Sequence, residues 1–436
     1  MSSMEIGAAM FAGVIVLLVL RVPVAIAMLL AGGLGYAAIT GWWPLLNTLK
    51  SMTFSKFSSY TLSIIPLFVL MGEFATRGGL NASLYQAARG WLGHRKGGLA
   101  MATIGGCAAF GALCGSSLAT AATMSQVAGP EMRRHGYSGA LSTGTLAAGG
   151  TLGILIPPSV ILVIYAIYTE QSIGALFVAA IVPAILAILG YLAVVAIYAR
   201  IWPSEAPSAE RFGWERRIAL TRKVAPAAIV FVVVVGGIYG GWFSPTAAAA
   251  VGAVAVGILA VANGMRWAGF RAAILGTATT TALVYLILLG AELFGVALAL
   301  SRMPAELSAQ ITALDLPPLA VIAVILLIYL VLGCVLESLA MVLLTLPVFI
   351  PVVLGLDLGL TQTETMIWFG ILVLIAVEVG MISPPFGLNL FVINAMSKDV
   401  PMGQTYRGVI GFCLSDVVRL ALIVLFPGLA LWLTGI

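Results

Sequence analysis

Apolar runs of 17 to 26 residues follow one another along the whole chain, separated by short polar stretches. At 1.5 Å per helical residue, a run of that length covers a hydrocarbon core of roughly 30 Å. In the first half the pattern predicts helical spans near 4–20, 22–39 and 60–76, then near 139–168 and 173–198. In the second half it predicts spans near 225–242, 245–264 and 272–290, then near 366–396 and 408–433. Two apolar stretches, about 98–131 and 319–354, stand apart, each preceded by an amphipathic segment, 79–97 and 302–316.

The same pattern is interrupted twice in matched fashion. Ser117-Leu118-Ala119 is followed thirteen residues after the serine by Pro130, then by Gly153-Ile154-Leu155-Ile156-Pro157-Pro158-Ser159. Ser338-Leu339-Ala340 is followed at the same interval by Pro351, then by Gly380-Met381-Ile382-Ser383-Pro384-Pro385-Phe386. Each proline removes a backbone donor and crowds the preceding turn, so an unbroken helix is not expected through these segments. Paired breaks within apolar sequence point to the binding site of a transporter. A third double proline, Pro317-Pro318, lies outside the pattern.

Composition agrees with the spans. Hydrophobic residues make up 61% of the 436 positions and charged residues 8%, against about 25% charged in soluble domains. The fold class is therefore an all-α polytopic membrane protein in a lipid bilayer, with no room for a soluble domain. The first apolar run has Glu5 before it and Arg21 after it, the reverse of a secretory leader, and reads as a retained span.

Charge then sets the path of the chain. The stretch 98–131 is bounded by Arg95-Lys96 and Arg133-Arg134, so a single crossing would place one basic pair outside, against the positive-inside bias. A re-entrant hairpin with its turn at Gly115-Ser116-Ser117 removes the conflict. Carried along the chain, this path places 17 of the 21 Lys and Arg residues inside, with Lys50, Lys56 and Arg302 outside and Arg419 within the last span. Each half then has five crossings, so residues 1–200 and 224–436 form two inverted-topology repeats joined by a cytoplasmic linker at 201–223. Each repeat holds a hairpin (98–131 and 319–354) and a broken helix (139–168 and 366–396). Both termini fall on the outer side. Asp315, Asp357 and Glu364 flank the second hairpin, and no Lys or Arg occurs between Arg302 and Lys398. The net charge of +5 is accounted for by this bias, and no nucleic-acid partner is needed.

A hairpin turn deep in a membrane leaves backbone groups without helical partners, which survive only inside protein or beside a polar cavity. Gly115, Ser116 and Ser117 offer hard oxygen ligands for an alkali cation, while helix N-termini at a break favour an anion. The alternative is close packing of small residues between helices. Gly149-Gly150-Thr151-Leu152-Gly153 is expected as a facing unwound strand, mirrored by Gly380-Met381-Ile382-Ser383. The candidate sodium-binding set is thus Gly115, Ser116, Ser117, Gly150, Thr151, Gly153, Glu337, Ser338, Gly380 and Ser383. Candidate substrate contacts are Ser117, Pro157, Pro158, Ser159, Pro384, Pro385, Gly387 and Asn389. A proline kink repaired by neighbouring helices is the plainer reading of each break. Glu337, at the second turn, and Glu378, ahead of the second break, each read either as a functional carboxyl or as a structural one. Asp416 and Arg419, three residues apart, read as a structural pair on one helix face.

Enzymatic chemistry finds no support. The only histidines, His94 and His135, fall in basic loops, and there is no Gly-rich phosphate loop. Cys107, Cys114, Cys334 and Cys413 lie in apolar segments without metal-ligand spacing and read as small buried hydrophobes. Sodium as a coupling ion is the only metal expected, and no organic cofactor is.

At Cys114-Gly115-Ser116-Ser117, Gly150 to Ser159, Ser244-Pro245-Thr246-Ala247-Ala248-Ala249, and Ser383 to Phe391 the chain resembles a known family. This is the large membrane (M) subunit of the tripartite ATP-independent periplasmic (TRAP) transporters, within the ion transporter superfamily. Ala247 stands where members often carry Glu, and Ser383 where Thr is common. The resemblance implies sodium-coupled symport of a small organic anion, such as a dicarboxylate, keto acid or sialic acid, by an elevator mechanism. It also implies two partners, a periplasmic substrate-binding protein and a separate small four-span membrane subunit, and residence in the inner membrane of a bacterium or archaeon. The alternatives are a self-sufficient sodium/dicarboxylate symporter of similar fold and, from another class, a passive channel or membrane scaffold.

Overall fold

A computed structural model of the chain describes residues 3–435, and everything described is helix, turn or loop. The first half runs α1 (Ser3–Val19), α2 (Val24–Thr40), α3 (Trp42–Phe57), α4 (Ile64–Arg77), α5 (Leu80–Leu92), α6 (Gly98–Cys114), α7 (Ser117–Arg134), α8 (Gly139–Leu155), α9 (Val160–Thr169), α10 (Ile173–Ala179) and α11 (Ile181–Ile201). The second runs α12 (Trp214–Tyr239), α13 (Pro245–Ala262), α14 (Trp267–Leu300), α15 (Met303–Ala313), α16 (Pro318–Gly333), α17 (Ser338–Leu354), α18 (Gln362–Ile382), α19 (Leu388–Met396), α20 (Met402–Leu425) and α21 (Gly428–Leu431). Among the described residues six helices are long and apolar enough to cross a membrane, or up to eight if each strongly bent pair counts as one span.

The order of elements recurs. An antiparallel helix pair (α6–α7, then α16–α17) is followed by a broken helix (α8–α9, then α18–α19). These helices and α11 and α20 pack on one another, with α8 against α6, α7 and α20, and α18 against α16, α17 and α20. A frame of α1, α2, α4, α12, α13 and α14 packs alongside, α14 lying on both α2 and α4. The arms α5 and α15 connect the two groups, α5 packing on α6 and α12, and α15 on α17 and α14. From Thr365 to Ile382 every residue of α18 is buried, which explains why that segment is apolar on all faces and not on one stripe.

The proline expectation needs correcting. Single prolines do not stop these helices, since α7 continues through Pro130 and α17 through Pro347 and Pro351. Only the Pro-Pro pairs break the path. A residue before proline is driven out of the helical region, and in a pair the first proline is itself such a residue. Ile156 and Ser383 accordingly take extended conformations, with ψ of 121° and 127°. Both Pro-Pro peptides are cis. Pro317-Pro318 sits at the start of α16, where a missing N–H costs nothing.

Glycines alone do not unwind the chain here. Residues 149–153 and 380–382, expected as unwound strand, are regular helix, and the non-helical stretches are 156–159 and 383–387. The predicted final span to 433 ends at Leu425, because Pro427 forces Phe426 out of the helix, and α21 follows after the break. Residues 42–57, to which the apolar pattern assigns no span, form α3, which meets the segment Tyr60–Arg77 at a bend of 56°.

Candidate transport site

Each helix pair ends in a tip that sequence chemistry shapes locally. At the first tip Gly115 adopts the left-handed region (φ 64°), which favours glycine, and Ser116 caps α7 by accepting from the Ala119 N–H at 3.4 Å. At the second tip the chain leaves α16 at Gly333, and Glu337 caps α17 by accepting from the Ala340 N–H at 3.1 Å. Of the two readings left open for Glu337, the capping role is present in the structure. The side chain nevertheless remains exposed toward the space between the tips.

The tips meet. Ser117 Oγ and Ser338 Oγ both approach Met381 Sδ, at 3.4 and 2.9 Å, two residues before the second break. Between the tips and the frame lies a cavity of about 190 Å³. Gly115, Ser116, Ser117, Glu337, Ser338 and Met381 line it from the hairpin side, with Val160 at the start of α9. Glu73 and Thr76 of α4 and Thr280 of α14 line it from the frame. Helices α7, α9 and α17 therefore all begin at this cavity, and their unpaired N–H groups favour a negatively charged group there. The carboxylates of Glu73 and Glu337 favour a cation. Glu73 also pairs with Arg77 at 3.0 Å, one turn along α4.

The broken helices press on the tips through glycine. A Cβ placed on Gly153 would stand 2.5 Å from Thr120 Oγ1 and 2.6 Å from the Ser116 carbonyl oxygen. One placed on Gly150 would stand 2.6 Å from Ala121 Cβ and 3.2 Å from the Ser117 carbonyl oxygen. In the other half Gly380 packs on Gly333, with a Cβ falling 2.6 Å from the Gly333 Cα. Thr120 Oγ1 is buried with no hydrogen-bond partner, beside that carbonyl. The two breaks differ in exposure. Pro157, Pro158 and Ser159 are buried, with the Pro158 carbonyl against Gly115, whereas Pro384, Pro385 and Phe386 are exposed.

The remaining candidates fall away from the cavity. Thr151 turns toward α11, donating to the Ala148 carbonyl at 2.7 Å and meeting Tyr191 Oη at 3.1 Å. Ser159 caps α9, accepting from Leu162 N–H at 3.5 Å. Ser383 Oγ donates to the Val379 carbonyl at 2.7 Å. The Pro385 carbonyl accepts from Tyr406 Oη at 2.5 Å, and Gly387 stands at the start of α19 with φ 40°. Asn389 is fully buried, donating to the Ala147 carbonyl at 3.2 Å while its Oδ1 has no partner.

Behind the tips lies a buried polar chain. Arg419 contacts Glu378 at 3.0 Å and Asp416 at 3.0 Å, with side-chain exposures of 3%, 0% and 0%. Tyr191 Oη donates to Asp416 Oδ2 at 2.6 Å. The pair read from the sequence is thus a triad, and the open reading of Glu378 settles on a charge partner across α18 and α20. Through Tyr191 and Thr151 it reaches α8, so both broken helices are tied to one network.

Residues 11–429 match the family model described as the tripartite ATP-independent periplasmic transporter, DctM component. The chain belongs to this family. It is 35% identical over 390 residues to the C4-dicarboxylate TRAP transporter large permease protein DctM of Pseudomonas aeruginosa, covering 88% of this chain and 89% of that one. It is 29% identical to the ectoine/5-hydroxyectoine TRAP transporter large permease protein UehC of Ruegeria pomeroyi, covering 98% of both. It is 32% identical to the isethionate TRAP transporter permease protein DctMQ of Oleidesulfovibrio alaskensis, covering 87% of this chain and 59% of that longer one. The crystal structure of the YdaH transporter of Alcanivorax borkumensis has a similar fold, with a TM-score of 0.61 at 16% identity over 90% of this chain and 88% of that one. The permease is a multi-pass membrane transport protein and not an enzyme.

Three participants in the permease site escape the sequence reading. Glu73 had a usable signal, an acid within an apolar helix, but its basic neighbour Arg77 disguised it as the end of a span. Met381 and Tyr191 carry no charge or motif, and only the packing shows that one touches both tips and the other bridges two helices.

Proposed function

We propose that the chain is the large permease subunit of a sodium-coupled, binding-protein-dependent importer of a small organic anion, working by an elevator motion. The observation that carries the reading is the convergence of both hairpin tips on Met381 beside a cavity shared with the frame. Three helix N-termini suit a carboxylate or sulfonate, and the names of the dicarboxylate and isethionate relatives fit that class. A separate small subunit and a periplasmic binding protein fit the family, and the longer DctMQ relative fits a second membrane component.

Sodium fits the oxygens at the first tip. Thr120 Oγ1 lacks a partner and the Ser116 carbonyl lies close by, two oxygens of the kind that hold an alkali cation. At the second tip Ser338, Glu337 and the acceptor lone pairs of Ser383 are the matching groups. The hairpins and broken helices pack as one group and the frame as another, with α5 and α15 between them, an arrangement that supports a rigid-body movement of one group past the other.

Reconstitution with the binding protein and small subunit tests this. A sodium gradient is expected to drive saturable uptake, and Ser117→Ala and Ser383→Ala are each expected to raise the half-saturating sodium concentration roughly three- to tenfold, the cost of one lost oxygen contact. Unchanged sodium titrations in both variants would remove the ion assignment. Sodium-driven uptake by the chain alone would favour the self-sufficient symporter, and non-saturating flux without sodium dependence a channel.

A further inference from the structure

Arg217, in the first turn of α12, is only 6% exposed and makes no ion pair with any carboxylate among the described residues. The buried Arg419 and the half-buried Arg89, by contrast, each face a carboxylate at about 3 Å. The guanidinium of Arg217 lies beside a pair of indoles, 5.7 Å from the Trp91 ring and 5.5 Å from the Trp214 ring. Its Nη2 meets His94 Nδ1 at 3.4 Å, and its Nε is buried with no partner. Trp91 is fixed by donating from Nε1 to Thr221 Oγ1 at 3.0 Å, and the two indoles meet edge to face at 5.8 Å.

The surroundings are basic. His94 is held below the ordinary imidazole range, first by burial and then by Arg217, Arg211 and Arg95. A neutral imidazole accepts a hydrogen bond from the guanidinium but brings no countercharge. Arg95, Arg211, Arg216, Arg222 and Lys223 are exposed and unpaired among the described residues. A guanidinium taken out of water without an anion is costly, and its planar donors match two phosphate oxygens. Trp91, near the end of α5, and Trp214, at the start of α12, which becomes apolar from Val224 onward, are themselves exposed, as expected of indoles at headgroup level.

We propose that Arg217, beside the Trp91–Trp214 pair, binds the phosphate of an anionic phospholipid at the basic side of the membrane. The bound lipid would anchor the arm α5 and the start of α12, the joint between the two halves, to one leaflet. Inorganic phosphate offers the same oxygens, but it does not account for two exposed indoles beside an apolar helix, and this favours the lipid.

The full-length chain, purified in a mild detergent, is titrated with short-chain phosphatidylglycerol, with phosphatidylcholine of the same chain length, and with inorganic phosphate, and retained ligand is counted by native mass spectrometry. The wild type is expected to retain phosphatidylglycerol at least fivefold more strongly than phosphatidylcholine. Arg217→Gln is expected to lose most of that preference, and Arg222→Gln, outside the indole pair, to keep it. If Arg217→Gln does not yield folded protein, Trp214→Ala, a change at an exposed side chain, decides the matter by a loss of several-fold. Retention of the preference in the folded Arg217→Gln protein, or in Trp214→Ala where that variant decides, would overturn the proposal. So would inorganic phosphate displacing phosphatidylglycerol at equal concentration.

Discussion

Arg419→Ala is expected to leave little folded permease. The substitution strands Glu378 and Asp416, both fully buried, with two carboxylates facing each other's field and no cation between them. Removing one partner of a buried ion pair costs about 3–5 kcal/mol, because the remaining charge has neither water nor a counterion. That is a large share of the roughly 5–15 kcal/mol by which domains are usually stable. The check is the thermal unfolding midpoint of purified protein in detergent, together with the yield of monodisperse material. A triple variant, Arg419→Met with Glu378→Gln and Asp416→Asn, is expected to recover much of the loss, since it removes the charges along with their partner. If Arg419→Ala unfolds at the wild-type temperature, the network does not hold α18 to α20.

Gly153→Ala is the second large effect expected, and it separates transport from mere presence in the membrane. The new methyl group would meet Thr120 Oγ1 and the Ser116 carbonyl oxygen at about 2.5 Å, well inside contact distance. One of these atoms belongs to the backbone of the tip and cannot rotate away. Forcing a methylene into a filled interior costs about 1–3 kcal/mol, so folded protein should still be obtained. Transport should not survive, because the displaced oxygens are the ones proposed to hold sodium. Uptake in proteoliposomes is expected to fall at least tenfold while elution on size exclusion stays normal. Gly236→Ala, at a helix position with nothing within 4 Å, is the matched control and should transport as the wild type does. Normal sodium-dependent uptake by Gly153→Ala would place the ion elsewhere.

Much of this arrangement is legible in the amino-acid sequence. Loop charges together with run lengths place a turn within 98–131, because Arg95-Lys96 and Arg133-Arg134 cannot sit on opposite sides without a penalty, and the structure has a turn there between α6 and α7. The observed tip, Gly115 to Ser117, falls where the glycine and the capping serine place it. The matched Pro-Pro pairs gave two helix breaks, correct to within a few residues. The reading failed where it asked composition to do what geometry does. Gly149 to Gly153 reads as unwound strand from its composition, yet the segment is helix, its glycines serving close approach to α6 and α7. Thr151 was placed at the ion site by proximity in sequence, but a helix turns about 100° per residue, and its hydroxyl faces Tyr191.

The sequence by itself determined the class of protein, the succession of helices, the two turns that join α6 to α7 and α16 to α17, and the positions of the breaks. Each of these follows from local physics: the length of apolar runs, the cost of moving charge across a membrane, and the lost donor and steric demand of proline. Only the tertiary structure decided which of the polar residues share a cavity. It brought Ser117, Ser338 and Met381 together across 264 residues of chain, added Glu73 from the frame, and turned an apparent Asp416–Arg419 pair into a triad with Glu378. Such meetings depend on how helices far apart in the chain rotate and cross, and no local pattern encodes a rotation that is set by packing against a distant partner.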